Sequence, residues 1–215
     1  MKKFKTLLFV VSALASTHAS AAILLSNVNV DRNNYGDGSL GYMFTSTSAS
    51  TVINFLGYND ADSDGLLASH VVSLWTLNSG VGVPAFTYDF VTSVTIPAAT
   101  VATLDGGYRW QSIAPVTLSN TVADGYIVMA ETIFGGDKWG DNVSATFDTS
   151  IGTLGSFGLV SPNFTLGSPH NFNGELNASG GYVYNGGNIA TSVIPEPSAA
   201  LLGGLGMLCM LRRRR

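Results

Sequence analysis

Alternating apolar and polar positions between residues 51 and 134 predict a series of β-strands. Gly, Asn, Asp and Pro clusters separate five runs that are rich in β-branched and aromatic residues: 51–58, 70–77, 85–96, 107–113 and 125–134. In the third run Phe86, Tyr88 and Phe90 alternate with smaller or polar residues, as expected for a half-buried strand. No segment of the body keeps a helical period over three turns. The pattern predicts an all-β domain, an antiparallel β-sandwich or jelly-roll-like fold.

The first 21 residues have a different pattern, which is typical of a secretory signal peptide. Lys2, Lys3 and Lys5 form a basic start, residues 7–15 are apolar, and residues 16–21 are small or polar. The apolar run is about half of the ~20 residues that a membrane span needs. Ala21 is a small residue at the expected end of the signal, so we predict that signal peptidase cleaves between Ala21 and Ala22.

The last residues form a second apolar segment. Residues 198–211 are apolar for fourteen positions and are followed by Arg212, Arg213, Arg214 and Arg215. Four arginines cannot enter hydrocarbon and act as a cytoplasmic stop under the positive-inside rule. A fourteen-residue helix covers about 21 Å, which is short of the ~30 Å hydrocarbon core. We therefore expect a single transmembrane helix that holds the protein only transiently, with the body outside the membrane.

Pro195, Glu196 and Pro197 stand directly before this apolar segment. The order of tripeptide, short apolar helix and arginine cluster resembles the PEP-CTERM sorting signal of Gram-negative bacteria that make extracellular polysaccharide. The resemblance implies that exosortase, a membrane protease-transpeptidase, recognises the tripeptide and that the tail is removed on the way to the cell surface or matrix. Two prolines favour an extended backbone that a protease can grip. The alternative is a Pro-rich linker before an ordinary tail anchor.

These features predict three parts of the chain: a signal peptide (1–21), an extracellular β-sandwich domain (22–192) and the sorting signal (193–215). Residues 46–50 and 180–187 are rich in small residues, and we interpret them as loops within the domain. Over about residues 41–130, the stretches GYMF, LGYNDADSDGL, SHVVSLW, GGYRW and APVTL resemble an uncharacterised β-sandwich domain of exported PEP-CTERM proteins. No known activity comes with this second resemblance.

Charge and cysteine content narrow the possible partners of the domain. Residues 22–193 hold three basic and thirteen acidic side chains, and three minus thirteen gives a net charge of −10. Such a body repels nucleic-acid phosphates, so we expect no nucleic-acid partner. The one cysteine of the chain, Cys209, lies in the apolar tail, and the domain therefore has neither disulfides nor a thiolate metal site.

Calcium is the only cofactor that the sequence suggests. Asp60, Asp62, Asp64 and Gly65 match the first half of a calcium-binding loop, in which alternate carboxylates converge on one hard cation. The match ends there, because Val71 stands where a bidentate Glu should close the ligand shell. The alternative is an Asx-rich turn between two strands. Asp137 and Asp141 form a second acidic loop with the same two readings.

No residue set predicts catalysis, and we expect the protein not to be an enzyme. His70 begins a predicted strand and is typical of a packed or turn-bonding residue, while His170 lies in a predicted loop without an identifiable partner. A glycosidase would need two carboxylates at a defined separation, and nothing pairs Glu131 with Glu175. No G-x-S-x-G motif occurs.

Four aromatic residues are candidates for stacking on a sugar: Trp75, Tyr108, Trp110 and Trp139. Trp75 and Trp110 lie inside strand runs, where aromatic residues are more often part of the core. Trp139 is flanked by charged residues and is the candidate glycan-binding residue.

The sequence therefore predicts an exported protein, first anchored in the inner membrane and then placed on the cell surface or in the matrix of a Gram-negative-type bacterium. Its predicted role is structural or adhesive, in association with extracellular polysaccharide. Signal peptidase, exosortase and, transiently, the membrane are the other expected partners. The alternatives are a calcium-stabilised carbohydrate-binding module and a secreted hydrolase.

Overall fold

The structure is a computed structural model of the chain. It describes residues 22–26, 38–60, 62–78, 80–83, 85–121, 125–132, 137–141, 145–161, 166–172, 176–177 and 184–192. The predicted signal peptide, the PEP tripeptide and the apolar tail with its arginines lie outside these residues. The same holds for the two helices that we expect to flank the β domain, an N-terminal signal helix and the C-terminal transmembrane helix. In the described part of the chain no helix is long and apolar enough to cross a bilayer.

The described residues form strands and connecting turns, which confirms the all-β class. The strands are β1 (Leu25–Ser26), β2 (Gly38–Ser46), β3 (Val52–Asn59), β4 (His70–Leu77), β5 (Thr87–Ile96), β6 (Thr103–Asp105), β7 (Tyr108–Thr117), β8 (Tyr126–Thr132), β9 (Gly140–Asp141), β10 (Thr146–Phe147), β11 (Gly152–Ser161), β12 (His170–Asn171), β13 (Leu176–Asn177), β14 (Tyr184–Asn185) and β15 (Gly187–Ala190).

The strands make two main sheets in which every pairing is antiparallel. The large sheet has seven strands in the order β12-β5-β4-β8-β2-β11-β13, and the small sheet has four in the order β15-β3-β7-β6. Two short ribbons, β1 with β10 and β14 with β9, complete the pairing of the described strands. The antiparallel arrangement that was predicted from the strand pattern is therefore confirmed.

One apolar core lies between the two sheets. Alternate residues of the large sheet, such as Leu74 of β4 and Val128 of β8, belong to the same buried cluster as Leu56 and Tyr58 of β3 and Ile189 of β15 in the small sheet. Side chains alternate between the two faces of a strand, so each sheet contributes one face to this cluster. Two sheets that share a core in this way are consistent with the predicted β-sandwich.

The opposite face of the large sheet is apolar as well. Trp75 and Ile127 belong to a second buried cluster, in which the rings of Trp75 and Phe172 meet edge to face at 5.8 Å between centroids. Phe172 directly follows β12, and its backbone N–H donates to the carbonyl of Phe86. Phe172 therefore covers part of this face of the large sheet.

The five predicted strands are confirmed as β3, β4, β5, β7 and β8. The start of the third is corrected, because β5 begins at Thr87. Phe86 has a φ of 62° and lies before the strand, so it does not share the alternation of Tyr88 and Phe90. Residues 184–185 and Gly187 belong to strands, so the interpretation of 180–187 as a loop is wrong for these positions.

Two long strands were not predicted, and glycine explains why. Both β2 and β11 contain Gly residues and lie next to each other in the large sheet. At Gly41 of β2 a Cβ atom would lie 2.1 Å from the carbonyl oxygen of Val128 in β8. A neighbouring strand thus requires glycine there, although glycine weakens the local strand pattern.

The first and last described segments pair with each other. An antiparallel bridge joins Ile23 and Ala190, the backbone N–H of Leu24 donates to the carbonyl of Ile189, and that of Thr191 donates to the carbonyl of Ala22. Leu24 and Leu25 are fully buried in the main core. The two ends of the described domain therefore lie side by side on the edge of the small sheet.

Shortening Ile189 to alanine tests whether β15 is an integral part of the domain. Because Ile189 is fully buried in the shared core, we expect the Ile189→Ala variant to lose about 2–5 kcal/mol of unfolding free energy in urea titrations. Leu67→Ala is the control, since Leu67 is 75% exposed and should change stability by less than about 0.5 kcal/mol. Equal effects of the two substitutions would contradict the placement of β15.

Candidate functional site

The acidic loop, residues 60–69, connects β3 to β4 and begins with a buried aspartate. Asp60 directly follows β3, and its backbone N–H donates to the carbonyl of Gly107 in the turn between β6 and β7. Its Oδ1 accepts a hydrogen bond from the backbone N–H of Gly65 at 3.3 Å, and its Oδ2 accepts one from Nε of Arg109 at 2.6 Å. Asp60 thus folds the loop back on itself and ties it to β7.

Arg109 is the buried partner of Asp60. The arginine is only 5% exposed, and a buried guanidinium needs both a counter-charge and hydrogen-bond acceptors. Besides Asp60, its Nη1 donates to the carbonyl of Ala102 at 3.2 Å and its Nη2 contacts that of Ser63 at 3.5 Å. Arg109 of β7 lies opposite Tyr58 of β3 in the small sheet. The ion pair therefore lies where the small sheet meets the acidic loop.

The second and third aspartates of the loop are exposed. The carboxylate of Asp62 accepts a hydrogen bond from Nζ of Lys138 at 2.8 Å, and about half of each side chain is open to solvent. The hydrogen bond from Lys138 and its charge lower the pKa of Asp62 below its ordinary value and outweigh the desolvation that acts to raise it. The same contact raises the pKa of Lys138. Asp62 is therefore an anion at neutral pH.

The three aspartates converge, as expected if the motif is the first half of a calcium-binding loop. One carboxylate oxygen from each of Asp60, Asp62 and Asp64 lies within 4.8 Å of the other two. Calcium binds oxygen ligands at about 2.3–2.6 Å, so oxygens around one ion are separated by up to about twice that distance. The spacing fits one hard cation, and the cluster could hold a metal ion such as calcium.

A second carboxylate anchors the other end of the acidic loop. Asp137 accepts hydrogen bonds from the backbone N–H groups of Leu67 and Ala68, at 2.8 Å and 3.2 Å, and contacts Nε2 of His70 at 2.7 Å. Its side chain is only 8% exposed. Burial acts to raise the pKa of Asp137, but the hydrogen bonds from His70, Leu67 and Ala68 outweigh it and lower the pKa below the ordinary 3.8.

His70 is a structural residue of β4 in this arrangement. Its Nδ1 lies 2.9 Å from the carbonyl oxygen of Glu131 in β8, and its Nε2 faces Asp137. The ring is fully buried and stacks on Tyr58 of β3 with 3.7 Å between centroids and 9° between planes. Both ring nitrogens therefore lie against oxygen atoms of the protein and face no solvent. The interpretation of His70 as a packed, hydrogen-bonded residue is confirmed.

Tyr58 links this pair to the rest of the core. Its ring belongs to the small sheet and that of His70 to the large sheet, so their stacking joins the two sheets beside the acidic loop. Burial, with a smaller effect of the Asp137 charge, raises the pKa of the Tyr58 hydroxyl well above its ordinary value. Tyr58 is therefore neutral throughout the physiological pH range.

The aromatic candidates for sugar binding are buried. Trp75, Tyr108 and Trp110 are at most 2% exposed, which confirms the core interpretation for both tryptophans. Trp139 is 6% exposed, so a sugar could stack on it only if the ring first became accessible. Its role in glycan binding stays a prediction that this arrangement does not favour.

Among the described residues, no contact brings the remaining candidates together as a catalytic site. The predicted loop positions of Asp141 and His170 are wrong, because Asp141 lies in β9 and His170 in β12, where its ring centroid is 4.5 Å from that of Phe172. Glu131 contributes its backbone carbonyl to His70, and Glu175 lies outside the described residues.

Sequence reasoning missed three partners at the acidic loop: Arg109, Lys138 and the pairing of Asp137 with His70. Only Arg109 had a usable signal, because an arginine between Tyr108 and Trp110 in a buried strand requires an acidic partner elsewhere in the fold.

Comparison of the chain with models of protein families, with curated proteins and with solved structures finds no significant match.

The lowered pKa of Asp137 predicts a defined acid sensitivity. A carboxylate with a lowered pKa stabilises the fold above its unfolded pKa, and this contribution is lost as the pH falls through the folded pKa. When the pH is lowered from about 5 to about 3, we expect the urea midpoint of the unmodified protein to fall. The urea midpoint of the Asp137→Asn variant should fall less over the same range. At pH 7 the variant should lose about 1.5–3 kcal/mol of unfolding free energy, since His70 and the backbone N–H groups of Leu67 and Ala68 lose their charged hydrogen-bond partner.

Asp62→Asn is the matched control, because it removes a carboxylate from an exposed ion pair that contributes little to stability. Its urea midpoint at pH 7 should match that of the unmodified protein. If the Asp137→Asn variant kept the urea midpoints of the unmodified protein, both at pH 7 and over the acid range, the anchoring role of Asp137 would be contradicted.

Proposed function

We propose that the protein is exported and sorted by exosortase through Pro195, Glu196 and Pro197, and that it acts as a structural or adhesive component associated with extracellular polysaccharide. The observation that carries the proposal is the order of parts along the chain. A basic and apolar start with a small-residue exit precedes the body, and a PEP tripeptide, an apolar run and four arginines follow it. In this scheme Pro195–Pro197 are substrate residues, and the catalysis belongs to exosortase.

The properties of the domain support a passive role outside the cell. Two antiparallel sheets share one core, which can hold the domain together without a disulfide. Residues 22–192 contain no cysteine, so the domain cannot be cross-linked or oxidised at a thiol. His70 is occupied by structural contacts. We propose that the body has the β-sandwich or jelly-roll-like topology and acts without catalysis.

Intact mass spectrometry of the protein from its host tests both processing steps. We expect a product that begins at Ala22 and lacks the apolar tail and its arginines. In a host without the sorting enzyme the product should keep the tail through Arg215. A product of the same mass in both hosts would contradict sorting through the C-terminal signal.

A substitution within the tripeptide separates recognition from anchoring. Glu196→Ala should leave the tail attached, because it removes the charge that distinguishes this site from an ordinary Pro-rich linker. Glu175→Ala, which removes an acid elsewhere, should be processed normally. Normal processing of Glu196→Ala would contradict recognition through this charge, whereas a tail retained in the unmodified protein as well would favour the alternative of a simple tail anchor.

A calcium-stabilised module, which could extend to carbohydrate binding, is the second candidate function. The observation that favours it is the convergence of Asp60, Asp62 and Asp64 within 4.8 Å. Two of these carboxylates already hold a cation of the chain, Arg109 on Asp60 and Lys138 on Asp62. The exposed Lys138 is the one that an incoming ion would replace.

Thermal unfolding with calcium or with a chelator tests this candidate. If calcium binds, chelation should lower the melting temperature, since a ligand at 100 times its Kd adds about 2.7 kcal/mol. Asp62→Ala should abolish the difference, and Lys138→Met should enlarge it by removing the competing cation. Asp89→Asn in β5 is the control and should behave like the unmodified protein. An unchanged melt in every variant would end the calcium hypothesis.

A further inference from the structure

The two ends of the domain leave it at the same place. Thr191 donates from its backbone N–H to the carbonyl of Ala22 at 3.0 Å, and its Oγ1 contacts the same oxygen at 3.5 Å. Ile23 and Ala190 form an antiparallel bridge, and Nδ2 of Asn54 donates to the carbonyl of Thr191 at 2.9 Å. These contacts define an exit corner, made of Ala22, Ile23, Asn54, Phe55 and Thr191.

Both proposed processing points are close to the exit corner. The bond between Ala21 and Ala22 adjoins the corner directly. Pro195 follows Thr191 by four residues, and four extended residues span at most about 14 Å. Whatever conformation the intervening residues take, the PEP tripeptide begins within that distance of the corner.

The exit corner is uncharged in a strongly acidic domain. Ile23 packs with Phe55 against Tyr108, Trp110 and Ala190, and a Cβ on Gly106 would lie 2.9 Å from its Cδ1. The side chains of these residues, and those of Asn54 and Thr191, are uncharged, and Asp105, which directly precedes Gly106, is the acid beside them. Seen from Asn54, the acidic loop begins at the other end of β3: Asp60 lies six positions further along the chain, and a strand rises about 3.3 Å per residue, or about 20 Å in all.

We infer that the exit corner is the surface of the domain that faces the lipid bilayer while either terminal segment remains attached. The inference rests on the proposed function, which places both terminal segments in the membrane. A body of net charge −10 is repelled by anionic headgroups, and repulsion is least when an uncharged surface approaches and the acidic loop points away. The membrane-bound processing enzymes therefore meet the domain at this corner.

Fluorescence quenching by lipids tests the orientation in the full chain. The chain with Cys209→Ser is synthesised in a cell-free system with phosphatidylcholine–phosphatidylglycerol vesicles that carry nitroxide headgroups. One variant adds Ser112→Cys, an exposed position opposite Phe55, and the matched variant adds Thr100→Cys, an exposed position beside Gly65 of the acidic loop. Each cysteine carries the same small fluorophore, and flotation reports whether the chain binds the vesicles.

The inference predicts that the vesicle-bound chain loses most of its fluorescence with the label at position 112 and little with the label at position 100. Equal quenching, stronger quenching at position 100, or no quenching at either site of a vesicle-bound chain would overturn the orientation and leave the proposed membrane segments intact. Failure of the chain to float with the vesicles would refute the membrane segments of the proposed function, and the inference would fall with them.

Discussion

The face-to-face packing of the small sheet on the large one is the constraint on which the other features depend, and β3 is the strand that transmits it. Leu56 and Tyr58 point from β3 into the shared core, which fixes the register of the strand. Because the register is fixed, the residues at its two ends are fixed as well. Asp60 then begins the acidic loop at one end, and Asn54 holds Thr191 near the other. One buried strand thus positions both the candidate metal cluster and the exit corner.

The buried ion pair of Arg109 and Asp60 holds the acidic loop in place more than it stabilises the fold. Removing Arg109 and Asp60 from water costs energy that their attraction only partly repays, so the pair is weak as a stabilising element. Its geometry is specific, however, because Asp60 also accepts from the Gly65 backbone and Arg109 also donates to Ala102. Asp137 holds the other end of the loop in the same way. Hydrogen bonds from both sides, together with the burial of Leu66 in the main core, therefore fix the shape of the loop.

Much of the fold was predictable from sequence because β-branched and aromatic residues mark the strands whose side chains carry the burial. His70–Leu77 matches its predicted limits at both ends. Strands β2 and β11 escaped prediction for a tertiary reason, since the glycine at Gly41 is required by the backbone of β8, and no local pattern contains that information. The same holds for the site. The spacing of Asp60, Asp62 and Asp64 predicted their convergence, but Asp137 and His70 are 67 positions apart and meet only through the fold.

The charges around the acidic loop decide what a metal ion would have to do there. Three aspartates against Arg109 and Lys138 leave the loop at 2 − 3, a net charge of −1. Arg109 is buried with Asp60 and cannot be replaced without leaving an uncompensated charge, whereas Lys138 pairs with Asp62 at the surface, where such pairs are weak. If Lys138 withdraws, the loop carries 1 − 3, or −2, which equals in magnitude the charge of one calcium ion. The buried arginine therefore sets the charge of the site, and the exposed lysine determines whether the site is open.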